Sequence, residues 1–497
     1  MQNKKADILL ISEGAYPYIS GGVSAWVQVL IKSLPHYSFG ILFLGSQESD
    51  YNEMKYQLPD NVAFLKKCYL FEKNHHEDKS QDLSREQYKY INKLHSLFKQ
   101  NKKMSKKRLS SLITQLLNTK TSIKEKQFLT SEKAWRFITN NYERYCTTPS
   151  FIDYFWTVRS IHAPIWRLLD VVNDLPKTSL VHTVSTGYAG FLSALLHYRD
   201  KTPLLLTEHG IYTKERRLDL LQTELDQANS DSNEDDDISY LRKLWINFFD
   251  AIGLFCYNAS DTIVSLYHGA RDKQHEFGAE IKKQIVIPNG IDIKLLSQYR
   301  HSLLKNKKRL CLLGRVVPIK DIKTFIRAIK IISDSHSDIE AHIVGPLDED
   351  KDYVKECEQL IKILEVEPYV KIIGKMPLTE VLPITDIMVL SSISEGMPLV
   401  ILEAFAAGIP AVTTDVGSCK ELIDGSDEAD RAIGAAGYTV NIRDPKALAQ
   451  SINELLNPKA WKIASQNAIK RVETYYSLDT MIESYDQLYQ KVGQWQE

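Results

Sequence analysis

Short apolar runs, each closed by glycine, proline or a polar cluster, alternate along this chain with longer stretches of helical period, and halfway along the pattern restarts. Such alternation predicts parallel sheets covered by helices. In the first half the strand candidates are Ile8 to Ile11, Phe39 to Leu44, Leu180 to His182, Leu204 to Thr207 and Thr262 to Ser265. In the second they are Arg309 to Leu313, Ala341 to Val344, Val370 to Ile373, Ile387 to Leu390 and Ala411 to Thr413. Two doubly wound α/β sheets in tandem are the simplest reading. A linker is expected over 293–308, where a lysine-rich polar stretch follows the turn Pro288-Asn289-Gly290.

The composition fits that reading. Of 497 residues, 62 are Lys or Arg and 63 Asp or Glu, with 43% hydrophobic and 25% charged. At roughly 150 residues per domain this suggests about three domains or two large ones. A disordered, collagen-like or disulfide-stapled chain is excluded. A net charge of −1 argues against a nucleic-acid binder, which rests on a broad basic surface. The cysteines at 68, 146, 256, 311, 357 and 419 form no C-x-x-C pair, which disfavours a zinc site and points to a reducing compartment. The apolar run Ile8 to Ile11 is too short for a signal peptide, and Glu403 interrupts the best candidate span, Met397 to Val412. The expectation is a cytoplasmic protein, with peripheral association at the inner face of the membrane left open.

Two segments break the alternation. Gln87 to Lys124 carries ten Lys or Arg and no acid on a Leu-rich helical pattern, the mark of a basic helical insertion over about 73–160. It is read either as a solvated helix face or as a dock for anionic lipid, acidic substrate or a partner protein. Asp219 to Asp237 carries eight acids and no base, ending Glu234-Asp235-Asp236-Asp237. This reads as a mobile acidic loop rather than a metal site, since cations need convergent ligands on a formed scaffold.

Open α/β sheets place their ligands at the carboxyl ends of strands. After the first strand, Gly21-Gly22 opens a helix, where free amides and the helix dipole suit a phosphate. Neither G-x-G-x-x-G nor G-K-S/T is present, so no dinucleotide fingerprint or P-loop is claimed. In the second half Gly314-Arg315 is followed by Lys320, two cations at a strand end that suit a diphosphate. Further on comes Ser394-Glu395-Gly396-Met397-Pro398-Leu399, with Glu403 eight residues after Glu395 and about two turns along the next helix. The loop exposes amides toward a phosphate, and a carboxylate can accept from two vicinal sugar hydroxyls.

Taken together, Gly314-Arg315 with Lys320, Glu395 with Glu403, Pro288-Asn289-Gly290-Ile291-Asp292 and Gly21-Gly22 resemble the retaining glycosyltransferases of family 4. The opening Glu13-Gly14-Ala15-Tyr16-Pro17-Tyr18, the stretch Thr207-Glu208-His209-Gly210 and the helical insertion resemble, more narrowly, the PelF-type glycosyltransferase of Pel exopolysaccharide biosynthesis. The resemblance implies the GT-B fold: two Rossmann-like doubly wound domains facing a cleft, whose closure would exclude water. The divisions would be an acceptor-side domain over 1–292, a nucleotide-sugar domain over 309–480, and a helix over 481–497 returning to the first domain.

It further implies a hexosyltransferase moving a sugar, from a UDP-linked hexose or N-acetylhexosamine, to a growing polysaccharide. Arg315 and Lys320 would bind the donor pyrophosphate, Glu403 the ribose, and Glu395 the donor sugar, assisted by the loop Gly396, Met397, Pro398 and Leu399 through its N–H groups, which proline lacks. Gly21 and Gly22 would meet the phosphate from the other domain, and His209 would reach the reacting sugar. Glu208 is its neighbour, Asn289 would stabilise the interdomain turn, and Gly345-Pro346, Lys375 and Met376 would line the base pocket. No cofactor and no metal ion are expected, because fixed cations would replace one. Membrane synthase proteins are expected partners. No carboxylate nucleophile is evident, so retention would proceed by front-face displacement, the departing phosphate taking the acceptor's proton. A non-catalytic nucleotide-sugar-binding subunit, a GT-B epimerase and a phosphorylase with pyridoxal cofactor are the alternatives.

Overall fold

In the computed structural model the apolar runs become two parallel sheets. The structure describes residues 5–72, 81–99, 105–118, 120–146, 149–227, 240–303, 307–493 and 495, with the backbone alone over 221–227. One unit comprises Met1–Ser265, Asp272–Ile285 and Asp486–Glu497, the other Leu266–Arg271 and Val286–Tyr485.

The first sheet contains β1 (Ile8–Glu13), β2 (Phe39–Gly45), β3 (Val62–Tyr69), β4 (Leu180–Thr183), β5 (Leu204–Glu208), β6 (Thr262–Ser265) and β7 (Gln284–Val286). Its order is β3-β2-β1-β4-β5-β6-β7, and the pairings from β3 to β6 are parallel. The second contains β8 (Lys308–Leu313), β9 (Ile339–Val344), β10 (Val370–Gly374), β11 (Ile387–Leu390), β12 (Ala411–Thr414) and β13 (Gly437–Val440). Its order is β10-β9-β8-β11-β12-β13, parallel throughout. Parallel strands need covered faces, and β1, β2, β4, β11 and β12 are buried nearly end to end. The six cysteines are buried and free.

The basic insertion folds between β3 and β4 as the helices Arg85–Lys99, Lys106–Leu117, Glu125–Thr130, Glu132–Tyr145 and Phe151–Asn173. Ile91, Leu94 and Phe98 recur at helical spacing and bury against Leu112, Phe137 and Ile161, while Lys106, Lys107 and Arg108 stay exposed. Within this core the His95 and His162 rings meet at 3.1 Å, and burial holds His162 near a pKa of about 3, so it is neutral. Arg167 ties the module to the sheet: it pairs with Glu125 at 3.0 Å and donates to the carbonyls of Tyr69 and Glu72.

Two sequence expectations need correction. Within 293–308, the described residues 293–303 are no linker: Asp292 caps the helix Ile293–Leu296, and Arg300 donates to the Ala406 carbonyl at 2.9 Å and pairs with Glu473, so they fold into the second unit. The division falls instead at 265–286, short of residue 292. The front of the expected acidic loop is helical, because Tyr212–Gln227 is one helix with an Arg216–Asp219 pair on consecutive turns; residues 228–239, with Glu234 to Asp237, lie outside the described residues. The final helix runs over Leu478–Val492, against the 481–497 expected, and from Asp486 onward it counts with the first unit. Among the described residues no helix is long and apolar enough to cross a membrane.

Candidate functional site

Each sheet winds both ways from its first strand, so its switch point lies between β1 and β4 in one and between β8 and β11 in the other. Ligands of open parallel sheets bind in the crevice outside the carboxyl ends at such points.

In the second unit the Gly314 amide, just past β8, donates to the carbonyl of Val344 at the end of β9, and Gly345 donates to Gly374 at the end of β10. Gly345 has φ +153°, and a Cβ there would collide with the Gly314 carbonyl oxygen, so only glycine permits this approach of three strand ends. Arg315 stands exposed and pairs with Glu349. Lys320 turns inward at the end of the short turn Pro318–Lys320, and its Nζ lies 2.6 Å from Glu395 Oε1. The same oxygen accepts from Ser392 Oγ at 2.6 Å, and Ser391 Oγ donates to the Lys320 carbonyl at 3.0 Å. Lys320, Glu395 and the hydroxyls after β11 therefore form one cluster.

The Glu395 loop is clamped from behind. Gly417, at φ +58°, packs against the backbone of Glu395 and Gly396, and the Ser418 amide donates to the Gly396 carbonyl at 2.9 Å. Met397 is buried, with its sulfur accepting from the Asn289 amide at 3.3 Å. Asn289 thus braces this loop within the second unit. Pro398 caps the helix Leu399–Ala406, which places Glu403 one turn in rather than two, because Glu395 to Pro398 is loop. Glu403 is half-buried, and burial alone pushes its pKa up to about 7. Lys375 is exposed after β10, whereas Met376 is partly buried against the core that holds Val344, Leu390 and Met397.

In the first unit, Gly21 precedes the helix Gly22–Ser33 with no side-chain cap, and both glycines are exposed, which leaves the first amides of the helix for an anion. A cavity of about 700 Å³ opens beside β1 and β4, lined by Glu13, Ser185, Tyr188, His209, Tyr212 and Arg216 among others. Glu13 accepts from Tyr212 OH at 2.9 Å and from the Ala189 amide at 3.0 Å; burial raises its pKa despite both bonds. His209 packs edge-on against Trp26, ring centres 4.6 Å apart, with Nε2 buried and lacking a hydrogen-bond partner. Burial lowers its pKa to about 4, so the ring is neutral. Glu208 does not join it: its carboxylate is buried and accepts from Thr186, Tyr257 and Gln274 at 2.8, 2.7 and 3.0 Å. Among the described residues no three His, Cys, Asp or Glu side chains are grouped to hold a metal.

Sequence reasoning missed Ser392, Glu349 and Glu13. Ser391-Ser392 sits directly after a strand candidate and Glu13 two residues past another, at the end of the observed β1, so strand-end position was a usable signal for both; Glu349 had none.

Residues 6–282, more than half of the chain, match the family model described as Domain of unknown function (DUF3492), and residues 297–490 match Glycosyl transferases group 1. The chain is 25% identical over 245 residues to N-acetyl-alpha-D-glucosaminyl L-malate synthase of Bacillus anthracis, a stretch that spans 47% of this chain and 60% of that protein. The crystal structure of Anabaena HepE in complex with UDP aligns with a TM-score of 0.59 at 15% identity, covering 98% of this chain and 100% of that one. Sucrose-phosphate synthase from Thermosynechococcus elongatus aligns at 0.58 and 15%, covering 97% and 98%. These likenesses establish the fold, which is GT-B.

Proposed function

The chain belongs to the family of the DUF3492 domain, joined here to a glycosyl transferases group 1 domain, and from that membership we propose that it moves a sugar from a nucleotide-sugar donor to a growing polysaccharide. The observation that carries this is the Lys320–Glu395–Ser392 cluster beside the β8/β11 switch point, with Glu403 one turn along the next helix.

Arg315 and Lys320 neutralise the donor diphosphate as the glycosidic bond breaks. Each has a carboxylate partner in the free protein, so the diphosphate displaces Glu349 and Glu395, and Glu395 is released to accept from donor-sugar hydroxyls. The N–H groups of Gly396, Met397 and Leu399 favour the donor phosphates. Gly345 and Met376 line the base pocket, with Lys375 at its rim. The donor is UDP-linked, as in the Anabaena complex, and carries a hexose or N-acetylhexosamine. Retention follows from front-face displacement, with no metal and no cofactor. The acceptor is exopolysaccharide of the Pel type. It occupies the cavity of the first unit, where Tyr51, Phe71 and Trp245 offer apolar faces to sugar rings and His209 meets the reacting sugar.

Incubation with a panel of nucleotide sugars, with and without chelator, tests the reading. The expected result is chelator-insensitive nucleotide release from a UDP-sugar, raised by acceptor. Binding without release identifies a non-catalytic subunit, interconversion of the sugar an epimerase, and chelator-sensitive release ends the metal-free mechanism.

Glu403 makes donor affinity depend on pH. A folded pKa near 7, above the usual 4.5, contributes stability that is fully present below pH 4.5 and lost as pH rises through 7. The ionised form accepts from both ribose hydroxyls, so ligand binding favours deprotonation. UDP affinity measured by calorimetry should rise by about tenfold from pH 6 to 8. An equal rise in Glu403→Gln refutes this assignment.

The enzyme works at a membrane surface. Residues 85–172 carry 17 Lys or Arg against 6 Asp or Glu. On the helices Glu132–Tyr145 and Phe151–Asn173, Trp135, Ile152 and Trp156 are 50%, 67% and 59% exposed beside Arg159. Tryptophan and arginine together suit the headgroup region of an anionic bilayer. Sedimentation with anionic liposomes should be lost in the double variant Trp135→Ser with Trp156→Ser; undiminished sedimentation removes these residues from the contact.

A further inference from the structure

His209 does not stand alone behind the cavity. Behind it lies His182 on β4, fully buried, whose two ring nitrogens both meet hydroxyls: Nδ1 lies 2.7 Å from Tyr489 OH and Nε2 2.9 Å from Thr207 Oγ1. Burial keeps this ring neutral. A neutral imidazole offers one donor and one acceptor, so the two hydroxyls take complementary roles and the three groups form a directed chain.

That chain ends on both supports of His209. Thr207 lies two residues before His209, and alternation along an extended segment puts the two side chains on the same face. Trp26 stands edge-on to both histidines, its ring centre 6.0 Å from His182 and 4.6 Å from His209. Tyr489 is itself fixed: it is fully buried against Tyr37, while Asp486, one turn earlier, accepts from Tyr37 OH at 2.9 Å and lies 3.0 Å from His36 Nε2.

We propose that the final helix, Leu478–Val492, positions His209 for transfer, with Tyr489 and His182 as positioning residues that act through Thr207 and Trp26. The proposal rests on the reading of His209 as the group that meets the reacting sugar. Loss of the Tyr489 hydroxyl removes the 2.7 Å hydrogen bond at His182 Nδ1, so the buried ring is no longer held from both sides, which lets Thr207 and Trp26 shift. The donor contacts at Lys320, Glu395 and Glu403 belong to the other unit and keep their geometry.

The experiment compares Tyr489→Phe, Thr207→Val and His209→Ala in the full chain, by kcat, donor KM, thermal melting and the pH profile of kcat at saturating donor, where Glu403 is already ionised by the bound ribose. Tyr489→Phe and Thr207→Val are expected to lower kcat by about tenfold with donor KM unchanged. The acid limb of the profile, set by His209, should move up from about 4 toward 6.5 as that ring loses its fixed burial. A merely structural role would lower the melting temperature and leave that limb in place. Normal kcat and an unmoved acid limb in Tyr489→Phe, with His209→Ala inactive, overturn the positioning role alone. Full activity in His209→Ala overturns the reading of the site on which it rests.

Discussion

Lys320→Ala is expected to lower kcat by about 10²- to 10³-fold, the usual effect of deleting one preorganised charge from a transition state. The side chain is 19% exposed and the carboxylate it touches 13%, so the pair is largely shielded from solvent, where a fixed charge acts strongly. As the glycosidic bond lengthens, negative charge collects on the diphosphate, and Lys320 lies within the same strand-end cluster. Alanine removes that charge and leaves Glu395 with Ser392 as its remaining hydrogen-bond donor, so sugar and phosphate recognition weaken together. Arginine is a poor replacement, because its planar fork cannot occupy the position of a compact ammonium held at 2.6 Å. Initial rates of nucleotide release against donor concentration decide the matter. A Lys320→Ala enzyme within threefold of the parent kcat would move the phosphate site elsewhere.

The second large effect is on stability. Arg471 and Asp430 are both fully buried, with Nε 2.7 Å from Oδ1, and the guanidinium also donates to the carbonyls of Ile423, Asp430 and Gly434. Arg471→Ala leaves the buried Asp430 carboxylate without its charge partner, held by the Ser426 amide at 2.8 Å, a loss of about 3–5 kcal/mol. The double change Arg471→Met with Asp430→Ala removes both charges and should recover most of that loss, since a buried pair is often no better than apolar packing. Urea unfolding of the parent, the single and the double variant measures the difference. A single variant within about 1 kcal/mol of the parent would contradict the burial of the pair. The lock also bears on the site: Arg471 grips the segment just after the helix Cys419–Asp424, and Gly417 and Ser418 at the head of that helix back the Glu395 loop.

The sequence disclosed interior strands better than edge strands. β3, β7 and β13 went unrecognised, and all three are edges. A central parallel strand is buried on both faces and reads as an unbroken apolar run, whereas an edge carries charge that discourages pairing with another chain. In β3 that charge is Lys66-Lys67, and in the three-residue β7 there is no room for any pattern. The site followed a similar rule. Arg315, Lys320, Glu395 and Glu403 were legible because strand-end position and local spacing define them. Glu349 was not, because it meets Arg315 only when the folded chain brings the two together. Glu208 was misjudged for a simpler reason. Adjacent residues of an extended segment point to opposite faces, so Glu208 enters the core when His209 faces the cavity.

The helical module between β3 and β4 also governs how the first sheet can assemble. β1 pairs with β2 through Ile8 and Phe39, but with β4 through Ile8 and Leu180. Closing the longer loop from an unstructured chain costs about 1.5 kcal/mol more than closing the shorter, by the logarithmic growth of loop entropy. The β1–β4 junction, which flanks the cavity holding Glu13 and His209, is therefore best formed after the insertion has shortened the path by folding on its own aromatic core. Folding of this sheet should be sequential, with the β1–β2–β3 edge and the helices first. The crevice that holds Glu13 and His209 would be the last part of this sheet to form.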